Sequence, residues 1–84
     1  MFGVSILNYI NFKETIEAVE NLSRQVWFDN IKVYVVDNGS YNESVSKLKE
    51  LQKKVPFILI ESDINLGHFK GANLAIRRAR YDGC

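Results

Sequence analysis

Ile-Lys-Val-Tyr-Val-Val-Asp-Asn-Gly-Ser, at residues 31–40, decides the fold of this 84-residue chain. Its first six residues are β-branched or aromatic apart from Lys32, which is typical of a buried strand. The strand runs directly into Asp-Asn-Gly-Ser at residues 37–40, which is turn chemistry. Ser40 and Glu43 have the S-x-x-E spacing of a capping box, so a helix is predicted to begin at Ser40. A buried strand therefore passes through a tight polar turn into a helix.

Short apolar runs on either side of this stretch predict two more strands. They occupy residues 2–7 and 57–60. Strands that are nearly continuous in apolar residues, and that helices connect, are typical of a parallel sheet covered on both faces. The predicted fold class is therefore α/β, with a Rossmann-like three-layer β-α-β-α-β-α arrangement and a parallel three-stranded sheet. A chain of this length forms one small domain, residues 1–84.

Three helices are predicted to follow the strands. The first begins after Asn11, where Glu14 completes a capping box, and it ends near Trp27. Its predicted apolar face consists of Phe12, Ile16, Val19, Ser23 and Val26. The second helix ends at Val55-Pro56. The predicted apolar face of the third helix consists of Phe69, Ala72, Ile76 and Ala79.

Composition excludes several classes of protein. The net charge is +1, from 11 basic and 10 acidic side chains, which argues against a general nucleic-acid or membrane-surface binder. One cysteine and one histidine cannot form a disulfide within the chain or a zinc cluster. The apolar runs are too short for a transmembrane segment. The cysteine content is compatible with a reducing compartment, and we expect a cytoplasmic protein.

The common nucleotide-binding and catalytic motifs are absent from the sequence. The first loop after a strand, residues 8–11, contains no glycine, whereas a dinucleotide-binding fold requires G-x-G-x-x-G there. No P-loop motif occurs in the chain. With His68 as its one histidine, the chain offers no plausible Ser-His-Asp or Cys-His arrangement, and we interpret His68 as a partly buried residue at a helix start.

Polar side chains collect in the three loops that follow the predicted strands, at residues 8–11, 37–40 and 61–67. Ligands of open α/β sheets bind beyond the carboxyl ends of the strands. Asp37 at such an end can accept a hydrogen bond from a base N–H or a ribose hydroxyl, but it is equally a common turn residue. Tyr9 can stack on a base or cover the edge of the sheet. Gly39 is predicted to have a positive φ under either interpretation.

Three motifs together resemble those of the family 2 glycosyltransferases, which have the GT-A fold. They are Ile-Leu-Asn-Tyr at residues 6–9, Val-Val-Asp-Asn-Gly-Ser at residues 35–40 and Asn-Leu-Gly-His-Phe-Lys-Gly-Ala-Asn at residues 65–73. They occur in the family's order over nearly the whole chain. Ile10 departs from the family pattern, since an asparagine is common at its position. His68-Phe69 is a second departure, because relatives often have an aromatic residue followed by a small one.

The resemblance implies that the chain binds a nucleotide-diphospho-sugar, with a UDP-sugar as the expected donor. The nucleotide-binding residues implied by it are Asn8, Tyr9, Asp37, Asn38, Gly39, Asn65, Gly67 and Asn73. In relatives the first two of these line the nucleoside pocket and Asp37 binds the base. The last three, together with Gly71, shape the loop and helix that close the pocket wall.

The resemblance also implies features that these 84 residues do not contain. Relatives hold a divalent metal, Mn or Mg, with an Asp-x-Asp motif on a further strand, and inverting members use a later carboxylate as the catalytic base. No Asp-x-Asp occurs in the sequence. We therefore expect an incomplete GT-A domain, truncated before the metal-binding motif, with no catalytic or metal-binding residue and no cofactor of its own. A divalent metal is expected only in the full-length enzyme.

The leading hypothesis is thus the N-terminal donor-binding fragment of a glycosyltransferase that acts on a glycan or lipid-linked acceptor. Bacterial surface polysaccharide synthesis is the expected setting, and this fragment alone is expected not to transfer sugar. The alternative is a non-catalytic nucleotide-binding or interaction module, or an inactive remnant, that retains the fold. In either case the expected strand order is 3-2-1. The first strand is then an exposed edge, through which self-association is expected.

Overall fold

A computed structural model of the chain describes residues 2–40, 42–65 and 67–84, and for His68 and Phe69 it describes the backbone alone. Strands and α-helices alternate along this part of the chain. The strands are β1 (Phe2–Asn8), β2 (Ile31–Asn38) and β3 (Ile58–Ser62). The helices are α1 (Phe12–Ser23), α2 (Ser44–Gln52) and α3 (Gly67–Tyr81). A 3-10 turn at Phe28–Asn30 immediately precedes β2.

The strands form a parallel sheet in the order β1-β2-β3, which confirms the predicted α/β fold and strand order. The register pairs Asn8 with Asp37 and Asn38 with Ser62. These pairs lie at the carboxyl ends of the strands, so the polar residues that end β1 and β2 are direct neighbours. β1 lies at one edge of the described sheet, where Phe2 is 80% exposed. Self-association through this edge stays a prediction.

Side chains of β2 alternate between the two faces of the sheet, as strand geometry requires. On one face they pack against α1 and α2 in a core of Val19, Val33, Val35, Leu48 and Leu51. On the other face they pack against α3 in a core of Tyr34, Val36 and Ala75. Both faces of β2 are therefore covered, and this explains why its sequence is nearly continuous in apolar residues.

Both predicted capping boxes are wrong. Asn11 does precede α1, but its side chain makes no capping hydrogen bond to that helix. α2 begins at Ser44 with Glu43 in the N-cap position, four residues later than predicted. The Ser40 hydroxyl instead donates to Oδ1 of Asp37 at 2.6 Å. A buried carboxylate must find donors, and hydrogen bonds to a charged acceptor are stronger than a neutral cap.

Two predicted helix faces also need correction. Val26 is 99% exposed, because α1 ends at Ser23 instead of near Trp27. Among the described side chains of α3, Gly71 and Ala75 are buried, whereas Ile76 is 47% exposed. α3 lies so close to the sheet that small residues face it. The predicted place of Phe69 in the apolar face, and the predicted partial burial of His68, concern side chains outside the described part of the structure.

The end of α3 is tied to the central strand by Tyr34. Its hydroxyl donates to Oδ2 of Asp82 at 2.8 Å, and Arg78 donates from Nε to Oδ1 of the same carboxylate at 3.3 Å. Burial, followed by the hydrogen bond to Asp82, raises the pKa of the Tyr34 phenol far above its ordinary value. The phenol therefore stays neutral and remains a donor, which holds α3 in place across the sheet. None of the helices in the described ranges is both long and apolar enough to cross a membrane.

Candidate ligand site at the carboxyl ends of the strands

Asp37 lies one residue before the end of β2 and is only 3% exposed. Its Oδ1 accepts two hydrogen bonds, from Nδ2 of Asn8 at 2.9 Å and from the Ser40 hydroxyl at 2.6 Å. Among the described residues, its Oδ2 accepts only a long contact from the Ser40 backbone N–H, at 3.4 Å. These donors compensate for burying a carboxylate. Of the two oxygens, Oδ2 is the one with capacity for a further strong donor.

Asn8 ends β1 and is 1% exposed. Its Nδ2 donates to Asp37 and, at 3.3 Å, to Oγ of Ser40, while its Oδ1 accepts from the Thr15 hydroxyl at 2.6 Å. An asparagine amide has two N–H donors, so both are already engaged within the protein. Asn8 thus orients the Asp37 carboxylate from the neighbouring strand β1. A direct contact between Asn8 and a nucleotide stays a prediction.

The loop after β1 has strained backbone at Ile10, where φ is +68°. A β-branched residue rarely adopts this left-handed conformation. The Asn11 N–H donates to the Tyr9 carbonyl at 2.7 Å, which closes a γ-turn around Ile10. The Ile10 N–H donates to Oγ of Ser40 at 2.8 Å, and its carbonyl accepts from Nδ2 of Asn42 at 3.0 Å. The strained peptide is therefore held on both sides, as strain at functional sites requires.

A second group of polar residues joins the end of β2 to the start of α3. Asn38 donates from Nδ2 to Oδ1 of Asn65 at 3.0 Å and to the Gly67 carbonyl at 3.3 Å. The Gly67 N–H donates to the same Asn65 oxygen at 2.7 Å. This group positions the amino end of α3 beside the strand ends. Gly39, between the two groups, has φ +72°, which confirms the predicted positive φ.

The structure brings most of the predicted site residues together in these two adjoining groups. Tyr9 lies at the rim and is 44% exposed. Asn73 is exposed on α3, about 9 Å along the helix from Gly67, at 1.5 Å per residue. Among the described residues, no side-chain hydrogen bond links Asn73 to either group. Its role in binding stays a prediction.

Sequence reasoning missed the positions that support the carboxylate. Thr15 is one of the two buried residues of α1, yet it was not placed on the inward face of the helix. Ser40 was assigned to a helix cap. The available signal was the position of Thr15 beside the apolar Ile16, at the margin of the predicted apolar face. A hydroxyl buried there must find a hydrogen-bond partner.

Two concave surfaces bear on where a ligand could lie. A depression of about 310 Å³ runs along β1 beside Tyr9 and Asn11. A larger one, of about 440 Å³, is lined by Phe28, Asp29 and Phe57 among others and lies at the opposite, amino ends of β2 and β3. The second is the larger of these two, although a depression of about 470 Å³ between α1 and α2 is larger still. Position favours the first, because it adjoins the loop after β1 and parallel sheets bind ligands at the carboxyl ends of their strands.

The described residues do not fit a divalent metal. Among the side chains that the structure describes, which do not include that of His68, no three or more His, Cys, Asp or Glu come together. Asp37 is engaged with amide and hydroxyl donors instead of other carboxylates. We therefore derive no chemical step through a metal at this site, and the metal of the full-length enzyme stays a prediction.

Fold and site together define a Rossmann-like α/β domain with a candidate small-ligand site at the carboxyl edge of a parallel sheet. The model of the family described as glycosyl transferase family 2 matches residues 4–83, which is nearly the whole chain. The chain therefore belongs to glycosyl transferase family 2, and this membership indicates a role in glycosyl transfer. No curated protein sequence matches the chain significantly.

Proposed function

We propose that this chain binds the nucleotide of a nucleotide-diphospho-sugar donor, and that the donor is a UDP-sugar. The observation that carries the proposal is the unequal hydrogen bonding of the two oxygens of the Asp37 carboxylate. Its Oδ1 already accepts from Asn8 and Ser40, whereas the described part of the chain gives its Oδ2 only one long contact. A buried charged oxygen with spare capacity at a strand end is a strong acceptor for a ligand N–H.

The chemistry of that oxygen favours a base with a ring N–H, such as uracil, over cytosine and adenine. Uracil presents a ring N–H, which a carboxylate accepts. Cytosine and adenine present a ring nitrogen with a lone pair on the corresponding edge, and a carboxylate oxygen repels it. A buried acceptor left without its donor costs about 1–3 kcal/mol, so the site would discriminate between bases by this contact.

Tyr9 supports the same proposal from the rim of the site. It is half-exposed and lies beside the depression of about 310 Å³ along β1. Stacking of a base on an aromatic side chain contributes about 1–3 kcal/mol. Tyr9 would supply that stacking while Asp37 reads the edge of the base.

We further propose that residues 1–84 form the donor-binding part of a family 2 glycosyltransferase domain. The described residues provide polar groups that suit a nucleoside, but no carboxylate cluster that suits a metal on a diphosphate. The Mn or Mg ion that the family resemblance implies would then be held by carboxylates other than those described. The acceptor would likewise be bound by other parts of the enzyme.

The proposal is tested by calorimetric titration of UDP, CDP and ADP into the purified chain and into Asp37→Asn. This variant keeps the shape of residue 37 but removes its charge. Losing a charge-assisted hydrogen bond costs about 1.5–3 kcal/mol, so UDP affinity should fall roughly 10- to 150-fold. Asp29→Asn is the matched control, because Asp29 is exposed and precedes β2 at the opposite edge.

We expect wild type and Asp29→Asn to bind UDP equally and to prefer it over CDP and ADP. Equal UDP affinity in wild type and Asp37→Asn would exclude Asp37 as the base-binding residue. Equal affinity for the three nucleotides would exclude recognition of the base. Circular dichroism of each variant confirms that it is folded before its affinity is compared.

A further inference from the structure

The Ser40 hydroxyl is the meeting point of three segments. It donates to Oδ1 of Asp37 at 2.6 Å, and it accepts from the Ile10 N–H at 2.8 Å and from Nδ2 of Asn8 at 3.3 Å. A hydroxyl has one donor and two acceptor lone pairs, so its full capacity is used. One side chain, 8% exposed, thus connects the end of β1, the strained turn after it and the end of β2.

We propose that Ser40 is the positioning residue that fixes the Tyr9–Ile10 turn relative to the Asp37 carboxylate, and that nucleotide affinity depends on this link. The inference rests on the proposed function. It adds that the stacking residue and the base-reading residue are coupled through one hydroxyl, which does not itself need to touch the ligand.

The direction of the hydrogen bonds supports this role. Ser40 binds Oδ1 of Asp37 and leaves Oδ2 with its capacity for a ligand donor. At the same time it is the acceptor for the Ile10 N–H, the peptide with positive φ. Without that acceptor, the strained conformation loses a restraint and the turn can relax. Tyr9 immediately precedes the strained residue, so its ring would shift with the turn.

Further hydrogen bonds restrain the Tyr9–Ile10 turn from both sides. The Ile10 carbonyl accepts from Asn42 and, at 3.4 Å, from the Ser44 hydroxyl at the start of α2. From the other side, the Thr15 hydroxyl of α1 donates to the Asn8 amide that in turn donates to Ser40. Two helices therefore support the same turn through side chains, and Ser40 is the member that also touches Asp37.

A double-mutant cycle with UDP as the probe tests the coupling. It compares wild type, Ser40→Ala, Tyr9→Ala and the double variant by calorimetry. Ser40→Ala removes the neutral hydrogen bond from the Ile10 N–H, worth about 0.5–1.5 kcal/mol, as well as the charge-assisted one to Asp37, so it should weaken UDP binding at least about 2- to 12-fold. In the Tyr9→Ala background the same change should cost clearly less, because the ring that Ser40 positions is already gone.

Ser46→Ala is the matched control, since its hydroxyl donates to the carbonyl of Glu43 at the N-cap of α2, outside the network. It should leave UDP affinity unchanged. Should Ser40→Ala fail to fold, Thr15→Val replaces it in the cycle. That change keeps the side-chain shape and removes the hydroxyl that orients Asn8. It should weaken UDP binding in the wild-type background, and weaken it less in the Tyr9→Ala background.

The outcomes separate this inference from the function on which it rests. Absence of UDP binding by folded wild type contradicts the proposed function, and the positioning role falls with it. If wild type binds UDP, an unchanged affinity in Ser40→Ala overturns the positioning role alone. Equal fold-losses with and without the Tyr9 ring also overturn it, because a merely structural serine would weaken binding independently of that ring.

Discussion

Gly39 and Ile64 are in backbone contact: a β-carbon on Gly39 would lie 2.5 Å from the carbonyl carbon of Ile64. The turn after β2 and the loop after β3 therefore touch without any side chain between them. This contact brings Asn65 within hydrogen-bonding distance of Asn38. The glycine in the Asp-Asn-Gly-Ser motif is thus required twice, by its φ of +72° and by the backbone that lies against it.

Gly39→Ala should destabilise the chain by about 2–5 kcal/mol. A left-handed conformation costs an L-residue about 1–2 kcal/mol, and overpacking against backbone adds about 1–3 kcal/mol. Gly83→Ala is the control, because Gly83 has φ +87° but nothing within 4 Å of the added carbon. It should show the conformational cost alone. Urea unfolding midpoints compare the two, and equal losses would disprove the steric contact.

Ile10→Asn should stabilise the free chain by about 1 kcal/mol. Strained residues of this kind cost about 1–3 kcal/mol, and asparagine tolerates positive φ far better than a β-branched residue. Ile10 is also 46% exposed, so little apolar burial is lost. Ile10→Val keeps the strain and serves as control; unfolding midpoints no higher for asparagine than for valine would refute the strain.

Asp82→Asn should destabilise the chain at neutral pH and have less effect in acid. The Tyr34 hydroxyl, and then Arg78, hold the pKa of the Asp82 carboxyl below its ordinary value of 3.8. A lowered folded pKa gives stability that is present above pH 3.8 and is lost as pH falls through the folded value. The difference in unfolding midpoint between wild type and variant should therefore shrink below pH 3.8.

Tyr34→Phe is the matched variant for that experiment, because it keeps the ring and the carboxylate and removes the largest cause of the shift. It should abolish most of the pH dependence that distinguishes wild type from Asp82→Asn. Stability curves of wild type and Asp82→Asn that stay parallel from neutral to acid pH would show that the Tyr34–Asp82 contact contributes nothing.

The strands and their parallel arrangement could be predicted from local sequence, because β2 is buried on both faces and its sequence is therefore nearly continuous in apolar residues. The beginning of α2 could not. Ser40 and Glu43 have the spacing of a cap, but the Ser40 hydroxyl donates to the Asp37 carboxylate, near the end of the preceding strand. Local patterns do not show that Asp37 is buried, and its burial is the reason why the Ser40 hydroxyl binds this carboxylate instead of capping the helix.

Which residues form the candidate site could be predicted from the sequence, but how they contact one another could not. Motifs identified Asn8 and Asp37, but their hydrogen bond joins residues 29 apart and depends on the register of β1 on β2. The buried face of α3 was missed for a related reason. A β-carbon on Gly71 would already lie 2.9 Å from Leu7, so close packing against the sheet selects small residues there. Apolar periodicity favoured Ile76, which is half-exposed.

The most direct test of the account is the map of backbone amide shifts in nuclear magnetic resonance spectra when UDP is added to the chain. We predict that the largest changes occur at the strand ends, at Tyr9, Asp37, Ser40 and Gly67, and that Asp37→Asn abolishes them. Changes concentrated around Phe28 instead, beside the larger depression at the amino ends of the strands, would contradict the placement of the nucleotide site.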